Sequence, residues 1–214
     1  MRWPWQSKLE PLPERDIDDI KGICKIIFID DKAFPVMDIL KNAGWMNTRR
    51  ITDVTSLDQS EIREAHILFV DIQGVGKKLK FQDEGLGLII ALKKKYPTKK
   101  IIAYSAEDQG HVEAFHQGIN VADSRLSKNA DPYEFQFLIE RLSKEAFSLN
   151  ECVERIKQEI LRQYGRSFNA DQIIQHLNKI HAQKDYSIEN ISKTFNVNNA
   201  GSLASIIQLF FIGG

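Results

Sequence analysis

Cysteine is scarce in this chain: Cys24 and Cys152 are the only two among 214 residues, and they lie far apart. That excludes a disulfide framework and a cysteine-based metal site, and it suits a reducing compartment. Neither sign of charge dominates, since Lys+Arg and Asp+Glu both total 29. A balanced chain has no global attraction for nucleic acid or anionic membrane, so any basic site must be local. No apolar run is long enough to span a membrane, and the N-terminus lacks the charged-then-apolar pattern of a secretory signal. The expectation is therefore a cytoplasmic protein with no membrane partner. His111, His116, His176 and His181 have no Cys or Glu at metal-ligand spacing and read as surface or interface residues. No Gly-x-Ser-x-Gly elbow or Cys–His pair points to a hydrolytic nucleophile. What remains is an ordinary globular composition, 43% hydrophobic and 27% charged, with length for one or two domains.

The most informative stretch is Lys25-Ile26-Ile27-Phe28-Ile29-Asp30-Asp31. So short an apolar, β-branched run reads as a buried parallel strand. Ending it on two carboxylates is costly unless they are paired or serve a ligand; the plain alternative is that they cap the following helix. From there strands and helices alternate. A helix around Phe34, Met37, Ile39 and Leu40 stops at Gly44, and 49–54 forms a weak second strand followed by a short helix over 57–65. The run 66–71 is a second strong strand ending on Asp71. A Gly- and Lys-rich loop, 73–84, leads to a helix over 86–96, then a strand over 99–105 ending on Ser105. A helix over 107–118, a short strand over 120–126 and a helix from Asp131-Pro132 to about Phe147 complete the pattern. Five strands alternating with helices predict an α/β fold, a doubly wound parallel sheet. Strand signals vanish after Leu149, where helical spacing takes over in four segments. The expected organisation is an N-terminal arm over 1–22, an α/β domain over 23–148 and a small all-helical domain over 149–214. Trp3, Trp5 and the prolines of the arm suit a tied-down segment.

In a doubly wound sheet the carboxyl ends of the strands converge on one edge, where ligands bind. That edge would gather Asp30 and Asp31 from strand one, Asp71 from strand three, Ser105 from strand four and Lys128 after strand five. Crowded carboxylates repel unless a hard cation neutralises them, and Mg²⁺ favours such oxygen ligands. A hydroxyl and an ammonium beside them supply donors for an incoming oxyanion. A carboxylate can itself accept a phosphoryl group as an acyl phosphate. Together these residues make a phosphoryl-transfer site.

The segments Phe28-Ile29-Asp30-Asp31, Leu68-Phe69-Val70-Asp71, Ile102-Ala103-Tyr104-Ser105-Ala106 and Ala122 to Lys128 make the span from Lys25 to about Phe147 resemble a receiver domain of the two-component response-regulator family. The resemblance implies a flavodoxin-like sheet of strand order 2-1-3-4-5. It implies Asp71 as phosphoacceptor, Mg²⁺ held by Asp30, Asp31, Asp71 and the backbone carbonyl of Gln73, and Ser105 and Lys128 contacting the phosphoryl group. It further implies a signalling phosphoprotein rather than a turnover enzyme, with self-dephosphorylation at most. Its partners would be a cognate histidine kinase or phosphotransfer protein and an output protein. Three positions depart from the family pattern: Asn129 replaces the usual proline, Arg125 stands at the switch aromatic, and the loop after Asp71 is long and carries Lys77, Lys78 and Lys80. Arg125 is expected to reach the 107–108 loop when Ser105 moves. Gly74-Val75-Gly76 lacks the third glycine of a dinucleotide fingerprint.

Two local features compete for a nucleic-acid role. Lys93 to Lys100 is the strongest basic run, but lysines at a helix C-terminus answer the macrodipole. The 187–197 segment faintly resembles the start of a helix-turn-helix, yet the would-be recognition helix, 199–211, contains no Lys or Arg. A DNA-binding regulator is thus the weaker alternative to a helical partner-docking module; a receiver-like scaffold that takes no phosphate is another. Ile206, Phe210 and Phe211 suggest more apolar surface than so small a segment can bury, hence a homodimer.

Overall fold

The structure, a computed structural model, describes residues 12–33, 35–106 and 117–212. Two compact units divide it: 16–146 form one, while 147–212 together with 12–15 form the other. Trp3 and Trp5 lie outside the described residues.

The first unit is built on five strands, β1 (Ile26–Ile29), β2 (Thr48–Ile51), β3 (Ile67–Asp71), β4 (Lys100–Ser105) and β5 (Ser124–Ser127). They form one parallel sheet in the order β2-β1-β3-β4-β5. The central strands β1 and β3 are buried at every residue, which is why they read as continuous apolar runs rather than alternating ones. On one face, Ile27, Ile29, Leu68, Val70, Ile101 and Ala103 pack with α3 (Ser60–Glu64), α4 (Glu84–Lys95) and α5 (Gln117–Val121). On the other lie α1 (Ile17–Ile23), α2 (Val36–Asn42) and α6 (Pro132–Ala146). This second face is aromatic: the rings of Phe28 and Phe69 stack at 4.3 Å, and Tyr104 stands edge-on to both at 5.8 Å.

Two expectations are corrected here. Part of the expected arm is a helix of the sheet unit: Asp16 caps α1 by accepting the Asp18 N–H, and Ile20 is buried. The strand expected over 120–126 starts later, because α5 runs to Val121 and Asp123 then turns the chain. Its carboxylate accepts the Ile101 N–H at 2.8 Å and the Lys93 ammonium at 2.7 Å, so β5 begins only at Ser124. The helix expected over 107–118 lies largely outside the described residues. The basic run is an end-of-helix feature of the predicted kind, and a committed one. Lys93 pairs with Asp123, Lys95 with Asp58 and Lys100 with Glu145. Lys99, 8% exposed, donates to the carbonyls of Arg63 and Ala65.

The helical unit has four helices, α7 (Leu149–Tyr164), α8 (Ala170–Gln183), α9 (Ile188–Phe195) and α10 (Gly201–Phe211). Local chemistry sets their ends. Ser148, Asn169 and Ser187 cap the first three through side-chain oxygens, Asn169 in a full capping box with Gln172. Gly165, Lys184 and Asn196 close them in the left-handed conformation. Ile156, Ile160, Leu177, Ile191, Phe195, Leu203 and Ile207 fill the core. Leu12 packs against that core, and the Arg15 guanidinium donates to the carbonyls of Leu209 at 2.8 Å and Phe210 at 3.1 Å.

The residues that suggested a homodimer pack within this unit. Phe210 is 5% exposed, and Ile206 and Phe211 pack half-buried against the same core, Phe211 stacked on His181. Burial is worth roughly 1.5–3 kcal/mol per large apolar side chain, and this unit already draws on it internally. Cys152 is also buried here, which pushes its thiol up to about 12, and Cys24 is fully buried in the sheet unit. Neither thiol is expected to react with iodoacetamide in the native protein at pH 8, since the thiolate is the nucleophile. Alkylation should appear only at the rate of unfolding; a fast-reacting thiol found by mass spectrometry would contradict this burial.

Candidate functional site

The strand register brings the acids together. Phe28 pairs with Phe69 and Asp71 with Tyr104, so Asp30, Asp71 and Tyr104 stand side by side where their strands end. A cavity of about 830 Å³ opens there, and Asp30, Asp31, Asp71, Gln73, Ser105 and Lys128 all line it. Every site residue expected from the sequence is therefore gathered in one place. Asp30, Asp71 and Ser105 are buried, at 1%, 5% and 5% exposure, whereas Asp31 is exposed.

Lys128 binds the acids to each other. Its ammonium lies 2.5 Å from Asp71 Oδ2 and 2.8 Å from Asp30 Oδ2. Its backbone N–H donates to the Ser105 carbonyl at 2.7 Å, which fixes the turn after β5 to the end of β4. Asn129 adds a second tie, its side-chain amide donating to the Ala106 carbonyl at 3.2 Å. Asp30 Oδ1 accepts the Lys32 N–H at 2.9 Å, and Asp71 Oδ1 accepts the Gln73 N–H at 3.3 Å.

These contacts set the charges. Burial raises the Asp71 carboxyl above its ordinary value, and the Lys128 contact opposes this without cancelling it. At Asp30 burial acts the same way, but hydrogen bonds from Lys128, Tyr104 and Lys32 outweigh it and hold the carboxyl below its ordinary value. Burial would pull Lys128 down; its bonds to both carboxylates instead raise it, so the ammonium stays charged. The site thus holds one firm carboxylate, one strained one and a shared cation.

The donor set fits a hard divalent cation. Asp30, Asp31 and Asp71 each offer a carboxylate oxygen within 4.8 Å of the others, the ligand chemistry that Mg²⁺ takes. The backbone makes room as well. Gly74 has φ +84°, and a Cβ there would come within 2.7 Å of Asp31 Oδ2.

The loop after Asp71 is tethered. The Gly76 and Lys78 N–H groups donate to Asp53 at 2.6 and 2.9 Å, and the Gly74 N–H donates to Glu84 Oε2 at 2.5 Å. Val75 is fully buried, and Lys77 pairs with Glu84 at 3.3 Å. Its glycine-flanked amides are occupied by carboxylates, unlike those of a phosphate-cradling loop. Arg125 is exposed on β5, and the 107–108 loop it was expected to reach lies outside the described residues.

Sequence reasoning missed Tyr104. Its hydroxyl donates to Asp30 Oδ2 at 2.7 Å, and the Lys128 ammonium lies 4.9 Å from its ring centroid. Burial, reinforced by Asp30, raises the phenol, so it remains a neutral donor. Tyr104 shares the face of Asp71 because the two pair in the register of β3 and β4, which the linear sequence does not record.

The sheet unit has the flavodoxin-like order of receiver domains, 2-1-3-4-5, with helices following it at the C-terminus. No family model and no curated protein matches the chain. Among solved structures it is similar to the receiver domain of NtrX from Brucella abortus, with 25% identity and a TM-score of 0.45, covering 56% of this chain and 98% of that one. It is also similar to NtrX from Brucella abortus in complex with ATP, with 22% identity and a TM-score of 0.47. That match covers 74% of this chain and 34% of that one, so the chain spans about a third of that protein's length. A response regulator from Thermotoga maritima matches at 18% identity and a TM-score of 0.41, over 59% of this chain and 99% of that one.

Proposed function

We infer that the chain is a phosphorylation-controlled signalling receiver, with Asp71 as the acceptor. The observation that carries this is the buried Asp71 carboxylate sharing one ammonium with Asp30 in a cavity also lined by Asp31, Ser105 and Lys128. An Asp71 oxygen attacks phosphorus; the bond from phosphorus to the donor's imidazole nitrogen or acyl oxygen breaks as the acyl phosphate forms. Bound to Asp30, Asp31, Asp71 and the Gln73 carbonyl, Mg²⁺ would supply charge neutralisation for the transferred group. Lys128 follows the new negative charge, and the Ser105 hydroxyl donates to a phosphoryl oxygen. The implied donor is a histidine kinase or phosphotransfer protein, and the helical unit carries the output to a protein partner. The test is incubation with acetyl phosphate, with and without Mg²⁺, followed by intact-mass measurement. One added phosphoryl group that requires Mg²⁺ supports the reading; its absence leaves the chain a scaffold.

The DNA-binding alternative fares worse. The exposed residues of α10 are Ser202 and Ser205, and the helix has no Lys or Arg with which to meet phosphate. We predict no salt-dependent binding of the full chain to duplex DNA in fluorescence anisotropy at low ionic strength. Affinity that falls steeply with added salt would restore the DNA-binding reading.

A further inference from the structure

Tyr104 is the buried polar group at this site that the chemistry above leaves without a role. It is 1% exposed, and its side chain contacts both Asp30 and the Lys128 ammonium. Its hydroxyl donates to Asp30 Oδ2, the same oxygen that accepts the Lys128 ammonium, and its ring lies beneath that ammonium. The ring is itself fixed edge-on against the stacked pair Phe28 and Phe69, both fully buried. A rigid apolar wedge therefore presents one donor and one π-face to two different members of the site.

We propose that Tyr104 is a positioning residue of the acceptor site: its hydroxyl fixes the Asp30 carboxylate and its ring seats the Lys128 ammonium. The proposal deepens the phosphoacceptor reading and rests on it for the Mg²⁺ arm of the test. With Oδ2 engaged by Tyr104 and Lys128, and Oδ1 by the Lys32 N–H, the Asp30 carboxylate cannot turn about its last torsion. Without the hydroxyl, Oδ2 is held by Lys128 alone, so the carboxylate is less firmly set and must be ordered further as the cation binds. Groups of this kind, which hold a ligand without touching the metal, typically account for 10–100-fold in metal affinity. The ring acts separately: an ammonium over an aromatic face is attracted to it, which keeps Lys128 from swinging out toward solvent.

Two variants separate the contributions. Tyr104→Phe keeps the ring and its packing and removes the hydroxyl, while Tyr104→Leu removes the ring as well. Mg²⁺ affinity is measured by calorimetry. The ¹⁵N resonance of the Lys128 ammonium, assigned by its loss in Lys128→Arg, is recorded without metal, because only a pinned ammonium exchanges slowly enough to be seen. Tyr104→Phe should bind Mg²⁺ at least tenfold more weakly and retain the resonance; Tyr104→Leu should lose both. Addition of Mg²⁺ to the parent should also perturb a near-ultraviolet tyrosine band that is missing from Tyr104→Phe. Mg²⁺ affinity within twofold of the parent in Tyr104→Phe, with an unchanged Lys128 resonance in Tyr104→Leu, overturns the proposal. If Tyr104→Leu does not fold, the affinity of Tyr104→Phe decides. If the parent itself binds no Mg²⁺, the phosphoacceptor reading fails, and the resonance alone decides the positioning role.

Discussion

Asp71→Asn should abolish the Mg²⁺-dependent mass gain and leave the metal-free protein more stable than the parent at neutral pH. The first effect follows from chemistry, since an amide cannot form the acyl phosphate. The second follows from burial. Burial raises the Asp71 carboxyl above its ordinary value of 3.8, so the folded protein holds that proton more tightly than the unfolded chain does. By linkage, stability then falls as pH rises from the ordinary value through the raised one, and the full penalty is present above both. Asparagine does not titrate, and Lys128 keeps Asp30 as its partner. The difference in Tm should therefore be largest at neutral pH and close as the solution is acidified through that window. Mg²⁺ should narrow it from the other side, by binding the folded parent more tightly than the variant. Melting curves at several pH values, with and without Mg²⁺, check both limbs. A parent more stable than Asp71→Asn at pH 7 without metal would show that Lys128 fully compensates the buried charge.

That trade between stability and function explains which residues were legible beforehand. A carboxylate at the end of a buried apolar strand contradicts its own surroundings, and Asp30, Asp31 and Asp71 are visible for that reason. Ser105 and Lys128 became meaningful only because the carboxyl ends of parallel strands converge on one edge. Tyr104 raised no such contradiction, because an aromatic residue in a strand reads as core. Its second identity, as a donor to Asp30, depends on lateral register between β1, β3 and β4, and no linear pattern records register. The same limit applies to the C-terminal helices. Ile206, Phe210 and Phe211 suggested a surface for a second copy; within the unit, packing covers Phe210 and half-buries Ile206 and Phe211. Helix starts depend on near neighbours alone: Ser148, Asn169 and Ser187 each accept the backbone N–H three residues on. The start of β5 was misplaced because Asp123 uses its side chain to imitate a strand partner of Ile101.

The packing of α4 under the acceptor yields the second large effect. Gly85, in the first turn of α4, passes so close to β3 that a Cβ built on it would lie 1.8 Å from the Asp71 carbonyl oxygen and 2.8 Å from its carbon. The atoms in the way are backbone, so no side-chain rotation relieves the contact; α4 or the end of β3 must move. Gly85→Ala is therefore expected to destabilise the protein by about 3 kcal/mol, the upper end of the usual overpacking range. Any folded fraction should have a displaced Asp71 and a reduced rate of phosphorylation. Gly22→Ala is the control. Gly22 lies in α1, is exposed, and a Cβ there would meet nothing within 4 Å. With no clash, the substitution only removes unfolded-state freedom and should stabilise by roughly 0.5–1 kcal/mol. Urea denaturation of the two variants should thus shift the midpoint in opposite directions. Equal midpoints would mean that α4 rides further from the Asp71 carbonyl than this packing requires, and the acceptor would then owe its position to β3 and Lys128 alone.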